Sequence, residues 1–585
     1  MARQMLGSRM RWWPLAWLLS GLLACAAPAR TPALDQARPA ALPASAPVAA
    51  SAPAQPEVPA SVARAETPPP AAAPYGPAVA ARFPDPPVTL RTPAFQPGHA
   101  GFTSNAELQT LLHGLVHDGR PQGTSVRLLV LGASQTGVPL EALLFTRHAE
   151  LDPAAIVRSG RPTVLLVGQQ HGDEPAGSEA LIVIAQELAH GRLEPLLDRI
   201  NVVVLPRANP DGARDDKRVT ASGIDPNRDH LLLRTPEAQA QAQLARDYRP
   251  VVVVDSHEYT VTGRYLEKFG TIQRFDAMVQ YAMTANLPEF IGKASEEWFR
   301  RPLLARFKDE GLSSEWYYTT SSDVNDKKVS MGGVQPDTGR NVNGLKNAVS
   351  FLIETRGVGL GRLHLKRRVY THVTAVSSIL QSTAERAADL VKLRSYVDNE
   401  VSAQACQGDA VIEAAATPSE YGLLMLDPQT GADKTVNVAW DSALELRTLK
   451  TRARPCGYWL AADQSDAVTR LRGLGVIVQQ LSEQGEMRGE VYSETSRELG
   501  VRSDVRGSIA DSGGVLRVQV QTVPALLDVQ PGGYYVPMDQ PLANLVLAAL
   551  EPDTQNSYLT SRIISSVDGE ARVMARPSVK MTTLP

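Results

Sequence analysis

No block of basic residues appears in this 585-residue chain, and its formal net charge is only −3. Both facts argue against nucleic acid as a partner. No apolar run reads as a membrane span: the one candidate, residues 12–24, is too short and is followed at once by Ala and Pro. No internal repeat is found. Histidine is missing from residues 396–585, which also hold no cluster of ligand-type side chains, so no metal or catalytic centre is expected there. Cysteine is scarce: with 3 in all, one disulfide is the ceiling. What is present is 43% hydrophobic, ordinary for a globular protein, in a chain too long for one domain.

The N-terminus carries Arg3, Arg9 and Arg11, then Trp12-Trp-Pro-Leu-Ala-Trp-Leu-Leu-Ser-Gly-Leu-Leu-Ala-Cys25. A basic start and a short apolar core mark a secretory signal over residues 1–25. Leu22-Leu-Ala-Cys25 resembles the lipobox of bacterial lipoproteins, which implies cleavage before Cys25 and several acyl chains there as a stable anchor. Ala26 is not an inner-membrane retention signal of the aspartate type, so in a two-membrane bacterium the periplasmic side of the outer membrane is expected. An ordinary cleaved signal with Cys25 incidental is the alternative. Residues 26–95, dense in Ala and Pro, read as a disordered tether. With Cys25 lipidated, Cys406 and Cys456 remain as a pair in an oxidising compartment; two unrelated buried thiols are the other reading.

Chemistry concentrates in the middle of the chain. Thr163-Val-Leu-Leu-Val-Gly168 reads as a buried strand, and Pro175 suits the first turn of a following helix. His171 and Glu174 therefore fall on the loop at a strand's C-terminal end, where α/β sheets place their ligand sites. His257 follows a second buried run, Val251-Val-Val-Val-Asp255, by two residues; Thr235-Pro-Glu marks the start of the helix before it. A catalytic zinc takes three protein ligands and keeps one position open. His171, Glu174 and His257 can supply those three, for one ion per chain. Glu354 ends a third run, Val349-Ser-Phe-Leu-Ile, where a carboxylate near a metal can move protons. A salt bridge, as to Arg356, is the plainer role for such a Glu. Arg218 and the pair Asn227-Arg228 suit the grip of a carboxylate, and solvated surface charge is the plainer reading of either Arg. Asn209-Pro-Asp-Gly212 is a turn signal.

The order His-x-x-Glu, Asn-Pro-Asp-Gly, Arg, Gly-Ile-Asp-Pro-Asn-Arg, Asp-Ser-His and strand-end Glu resembles the zinc metallocarboxypeptidases of the carboxypeptidase A type over roughly residues 100–395. The resemblance implies an α/β fold with a mixed central sheet flanked by helices, over 96–395. It implies His171, Glu174 and His257 as zinc ligands and Glu354 as general base. Arg218 would polarise the scissile carbonyl, and Asn227 and Arg228 would hold the C-terminal carboxylate of a peptide substrate. The reaction implied is hydrolysis of the last peptide bond by metal-activated water. The family's tyrosine about twenty residues before the general base is missing from Ser330-Met-Gly-Gly-Val-Gln-Pro-Asp-Thr-Gly-Arg340. Tyr317 or Tyr318 is a candidate substitute, and Arg340 a candidate extra substrate contact.

Two rival readings stand beside this one. A zinc deacylase of the aspartoacylase or succinylglutamate desuccinylase type shares the His-x-x-Glu…His frame. A non-catalytic lipoprotein that binds peptide C-termini needs no general base, yet Glu354 is present. Short strand patterns at Gly422-Leu-Leu-Met-Leu, Lys434-Thr-Val-Asn-Val, Gly514-Val-Leu-Arg-Val and Gly533-Tyr-Tyr-Val, with a helix pattern from Ala467, make 396–585 a mostly β or α+β accessory domain. Its expected role is structural, or to shape access to the active site.

Overall fold

The computed structural model describes residues 74–117, 123–509 and 514–585. The signal, Cys25 and tether residues 26–73 lie outside the described residues. Eight strands build the central sheet: β1 (Ser125–Ala133), β2 (Pro139–Thr146), β3 (Thr163–Gly168), β4 (Asn201–Leu205), β5 (Val252–Thr260), β6 (Ala277–Tyr281), β7 (Ser314–Trp316) and β8 (Val349–Val358). Their spatial order is β1-β2-β4-β3-β5-β8-β6-β7. The pairs β4–β3, β3–β5, β5–β8 and β6–β7 are parallel; β1–β2, β2–β4 and β8–β6 are antiparallel. The sheet is therefore mixed, as expected.

The unbroken apolar runs at its centre follow from burial on both faces. Val164, Leu166, Val252, Val254, Phe351 and Ile353 face α1 (Pro175–His190) and α4 (Leu365–Glu385). Leu165, Val167, Val203 and Val253 face α2 (Pro236–Tyr248) through Leu244 and Tyr248. Pro236 opens α2, and the Thr235 hydroxyl accepts from the Ala238 N–H at 3.2 Å, an N-cap. Strand β5 runs on past its apolar segment, so His257 lies inside the strand and not after it. Its two neighbours β3 and β8 supply ladder partners that hydropathy does not report. The Asn209-Pro-Asp-Gly turn is the N-cap of a short helix, Pro210–Asp215, with the Asn209 side chain accepting from Gly212 N at 2.9 Å.

The stretch 74–95, expected to continue the tether, is instead packed against the body. Tyr75, Val79, Phe83 and Ala94 are buried, since the aromatics bring apolar area that the Ala/Pro tract before them lacks. After α4 come α5 (Ala387–Ala403) and two long antiparallel ribbons: β9 (Asp409–Leu426) with β10 (Asp433–Ala453), and β11 (Gly485–Gly500) with β12 (Val515–Val529). Helices Ser465–Leu474 and Ala543–Leu550 make this region α+β. It is not a separate body. Ribbon β9–β10 shares a sheet with Ile272–Gln273, Tyr318–Thr320 and Val329–Met331, and the described residues form one compact unit. The expected boundary at 395/396 is thus a change of architecture without a gap. Among the described residues no helix is long and apolar enough to cross a membrane.

Cys406, just past α5, is bonded to Cys456, closing the base of ribbon β9–β10 over a separation of 50 residues. Replacing both cysteines by Ala is expected to lower the unfolding free energy by about 4 kcal/mol in the chain-entropy model. Urea unfolding of variant and parent checks this, and the gap should close when the parent is reduced.

Candidate metal centre

Loop 169–174 leaves the C-terminal end of β3 and is shaped by close contacts. Gln169 adopts a left-handed backbone (φ 47°); its amide donates to Gly172 O at 2.9 Å and its Oε1 accepts from Arg207 Nε at 2.8 Å. Gly172 is obligatory on steric grounds: a Cβ there would lie 1.9 Å from the Gly212 carbonyl carbon. The loop touches the short helix Pro210–Asp215 backbone to backbone at this point, and His171 is fixed beside them. Pro175 starts α1 directly after Glu174. His171, Glu174 and His257 are all buried.

Their ligand atoms converge. Glu174 Oε1 lies 2.8 Å from His171 Nδ1 and its Oε2 lies 2.8 Å from His257 Nδ1. The two Nδ1 atoms are 3.0 Å apart. Each ring is held from behind: His171 Nε2 is 3.1 Å from Asp225 Oδ1, and His257 Nε2 is 2.9 Å from Asp255 Oδ2. A carboxylate on Nε2 takes the ring's proton as a hydrogen bond and leaves Nδ1 as a lone pair. Two lone pairs and a carboxylate then face one another in a buried space, a donor set that a cation satisfies. The three residues can hold a metal ion, and borderline N/O ligation suits zinc. Burial works to raise the Glu174 carboxyl, but facing His171 and His257 hold it well below the usual range. Burial likewise opposes charge on His257, yet Asp255 and Glu174 raise it well above the ordinary imidazole value.

The remaining expected residues surround one cavity, lined by His171, Arg218, Asn227, Arg228, Arg340 and Glu354. Glu354 pairs with His257 in the β8–β5 register, which sets its carboxyl beside the ligands. Burial first, and then the Glu174 charge, pushes its carboxyl up to about 7; a divalent cation at the three ligands acts in the opposite direction. Glu354 makes no ion pair with Arg356 among the described residues; Arg356 stacks over the Phe83 ring at 3.4 Å. Arg218 holds Asp225 at 2.9 Å and reaches Glu174 at 3.3 Å. Asn227 Nδ2 lies 3.3 Å from His257 Nε2, and its Oδ1 accepts from Gly339 N at 2.8 Å. Tyr317 and Tyr318 belong to the same apolar cluster, but only Tyr317 lines the cavity.

Two features were missed in the sequence. Asp255, two residues before His257, carries a local signal of its role, whereas Asp225 stands 54 residues from His171 and carries none. Asp504 and Arg506 come from hairpin 503–508 of the C-terminal region: Asp504 binds Arg228, and Arg506 lines the cavity. Nothing local marks them. A roomier cavity, about 430 Å³, lies between Thr284–Asn286 and β12, but it holds no histidine. The donor set therefore places the chemistry at the smaller one.

Comparison with known proteins agrees with this geometry. Residues 120–356 match the family described as zinc carboxypeptidase. Carboxypeptidase 2 of Trichophyton rubrum is 28% identical over 415 residues, 70% of this chain and 75% of the relative. Carboxypeptidase D of Mus musculus is 41% identical over 100 residues, 15% of this chain and 7% of the relative. A metallo-carboxypeptidase structure from Pseudomonas aeruginosa aligns at 20% identity and a TM-score of 0.35, over 49% of this chain and 68% of that one.

Elemental analysis of the dialysed protein should give about one zinc per chain, as a single three-ligand site requires. His171→Ala and His257→Ala should each abolish retention. Asp225→Asn and Asp255→Asn should weaken zinc affinity about 10- to 100-fold, the usual cost of losing a partner behind a ligating His. Full retention in the histidine variants would overturn the assignment.

Proposed function

From residues 120–356, which match the zinc carboxypeptidase family, we infer a zinc-dependent exopeptidase that hydrolyses the C-terminal peptide bond of peptide substrates. The observation that carries it is the set His171, Glu174 and His257, with Glu354 paired in register beside His257. Zinc held there supplies Lewis acidity, activating water and polarising the scissile carbonyl.

This chain's own groups do the rest. The Glu354 carboxylate accepts a proton from the attacking water and returns it to the departing amine nitrogen. Its burial beside a cationic centre suits both halves of that task. The Arg218 guanidinium, fixed by Asp225, stabilises negative charge as it grows on the carbonyl oxygen. Asn227, positioned through Gly339 N, offers its amide to the substrate's terminal carboxylate. Tyr317 is the aromatic hydroxyl at the cavity wall. The deacylase reading is not favoured, since the family match and a relative spanning 70% of the chain are both carboxypeptidases. The binding-only reading leaves Glu354 without a purpose.

Location is proposed on the sequence. The basic start, apolar core and Leu22-Leu-Ala-Cys25 support export and a lipid anchor, and the Cys406–Cys456 bond suits an oxidising compartment.

Glu354→Gln should keep one zinc and lower kcat by about 10²- to 10⁴-fold, the range for removal of a general base. Stopped assays on a mixed peptide library, read by mass, check both; undiminished turnover would refute the role. Cys25→Ser should move the protein from the membrane fraction to the soluble one, and unchanged fractionation would count against the anchor.

A further inference from the structure

A further cavity, of about 300 Å³, shares no lining residue with the catalytic one. Its volume falls within the range of small-molecule sites. The helix α3 (Gly339–Leu345) separates the two: Arg340 in its first turn lines the catalytic cavity, whereas Asn343 and Lys346, at its C-terminal end, line this one. Helix α2 contributes Arg246 to the wall, the residues after it Arg249 and Pro250, and helix α5 Arg394. The C-terminal region closes the cavity with Leu474, Ile477 and Leu542.

Four cations line this space, and three of them have counter-ions. Arg246 Nε holds Asp247 at 2.7 Å. Arg394 Nε and Arg249 Nη2 share Asp398, at 2.8 and 3.2 Å. Lys346 differs. It is 7% exposed, and its ammonium makes no hydrogen bond or ion pair among the described residues. The nitrogen is not sealed in protein but opens on the cavity. Burial first, and then the charges of Arg246 and Arg394, push it down to about 7, with no carboxylate beside it to offset them. Arg394 adds a second donor: Nη1 reaches Pro250 O at 3.3 Å, while Nη2 has no partner among the described residues. A buried cation without a counter-ion is costly, and an anion in the cavity removes that cost.

The remaining walls decide the kind of anion. One unpaired cation matches one negative charge. Leu474, Leu542 and Pro541 are apolar, and Ile477 beside them is 43% exposed. A bare inorganic ion leaves that surface wet, whereas an apolar body covers it. We propose that this cavity binds a small organic carboxylate, its head at Lys346 and Arg394 and its apolar body against Ile477 and Leu542. The site is separate from the metal centre, and it stands whether or not the exopeptidase reading does.

The test uses the zinc-loaded full chain, with hexanoate, acetate and inorganic phosphate as probes, read by calorimetry and thermal melting. Hexanoate should bind at least about 10-fold more tightly than acetate, because its extra methylenes leave water. Lys346→Met should weaken hexanoate at least about 30-fold, the lower end for removing one partner of a buried charge pair. Lys346→Arg should keep part of the affinity. Zinc content and the KM for a peptide substrate should stay at parent values in both. Because Lys346→Met removes an unpaired buried charge, it should melt no lower than the parent in anion-free buffer. Hexanoate should then raise the melting temperature of the parent alone. Ile477→Ser, at a half-exposed position, should weaken hexanoate and leave acetate unchanged. Hexanoate held in the catalytic cavity would survive Lys346→Met, so the proposal is overturned if that variant binds hexanoate as the parent does. It is also overturned if hexanoate binds no better than acetate, or if phosphate binds more tightly than hexanoate and loses that affinity in Lys346→Met.

Discussion

Two imidazole rings held from behind by carboxylates are the constraint on which this site turns. Asp225 and Asp255 occupy the outer nitrogens, so the inner ones face each other and Glu174, with Arg218 Nη1 3.1 Å from that of His171. Everything nearby serves that orientation. Gln170 donates to Asp255 at 2.6 Å, and Arg218 fixes Asp225. The backbone of Glu258 donates to Glu174 at 2.9 Å. Without a cation, the Arg218 guanidinium 3.1 Å from His171 Nδ1 and the raised His257 imidazole must offset the repulsion among these acceptors. Metal affinity and local rigidity are therefore one property here.

The sheet supplies the second requirement, alignment across strands. Because β3, β5 and β8 are adjacent and parallel, their C-terminal ends arrive together, and groups far apart in sequence meet without long loops. The loop after β3 brings His171 and Glu174, β5 brings His257, and β8 brings Glu354. Direct pairing of Glu354 with His257 leaves little freedom in their separation, whereas the Arg228 side of the cavity is built from loops and the distant hairpin. Chemistry is held by the rigid part of the fold and recognition by the variable part.

Much of this could be read from the chain. Apolar runs bounded by Pro and Thr-Pro marked β3, β5, β8, α1 and α2, and the ligand residues stood at the ends of those runs. The full length of β5 could not be read that way, because Asp255-Ser-His-Glu258 carries polar side chains whose burial depends on neighbours. The packing of 74–95 was hidden for a related reason: a few aromatics in an Ala/Pro-rich stretch dock only because an apolar surface awaits them. Least legible was Asp504, 276 positions from Arg228, in a region without histidine or any ligand-like motif. Pairing at such range is set by tertiary structure, and no local pattern announces it.

Arg356 carries a consequence of a different kind. Two residues beyond Glu354, it is buried with none of its three nitrogens hydrogen-bonded among the described residues, and it rests on Phe83 and Tyr75. The aromatic clasp from the N-terminal side and the hairpin from the C-terminal side thus close on the same central segment from outside the matched family region. Residues 120–356 are for that reason a homologous module without being a transplantable one. A chimaera cut at those borders would inherit the ligands yet strand one arginine without its rings and another without its aspartate. The smallest portable cassette reaches from before Tyr75 to the strand Met581–Thr583, which shares one sheet with β11 and β12.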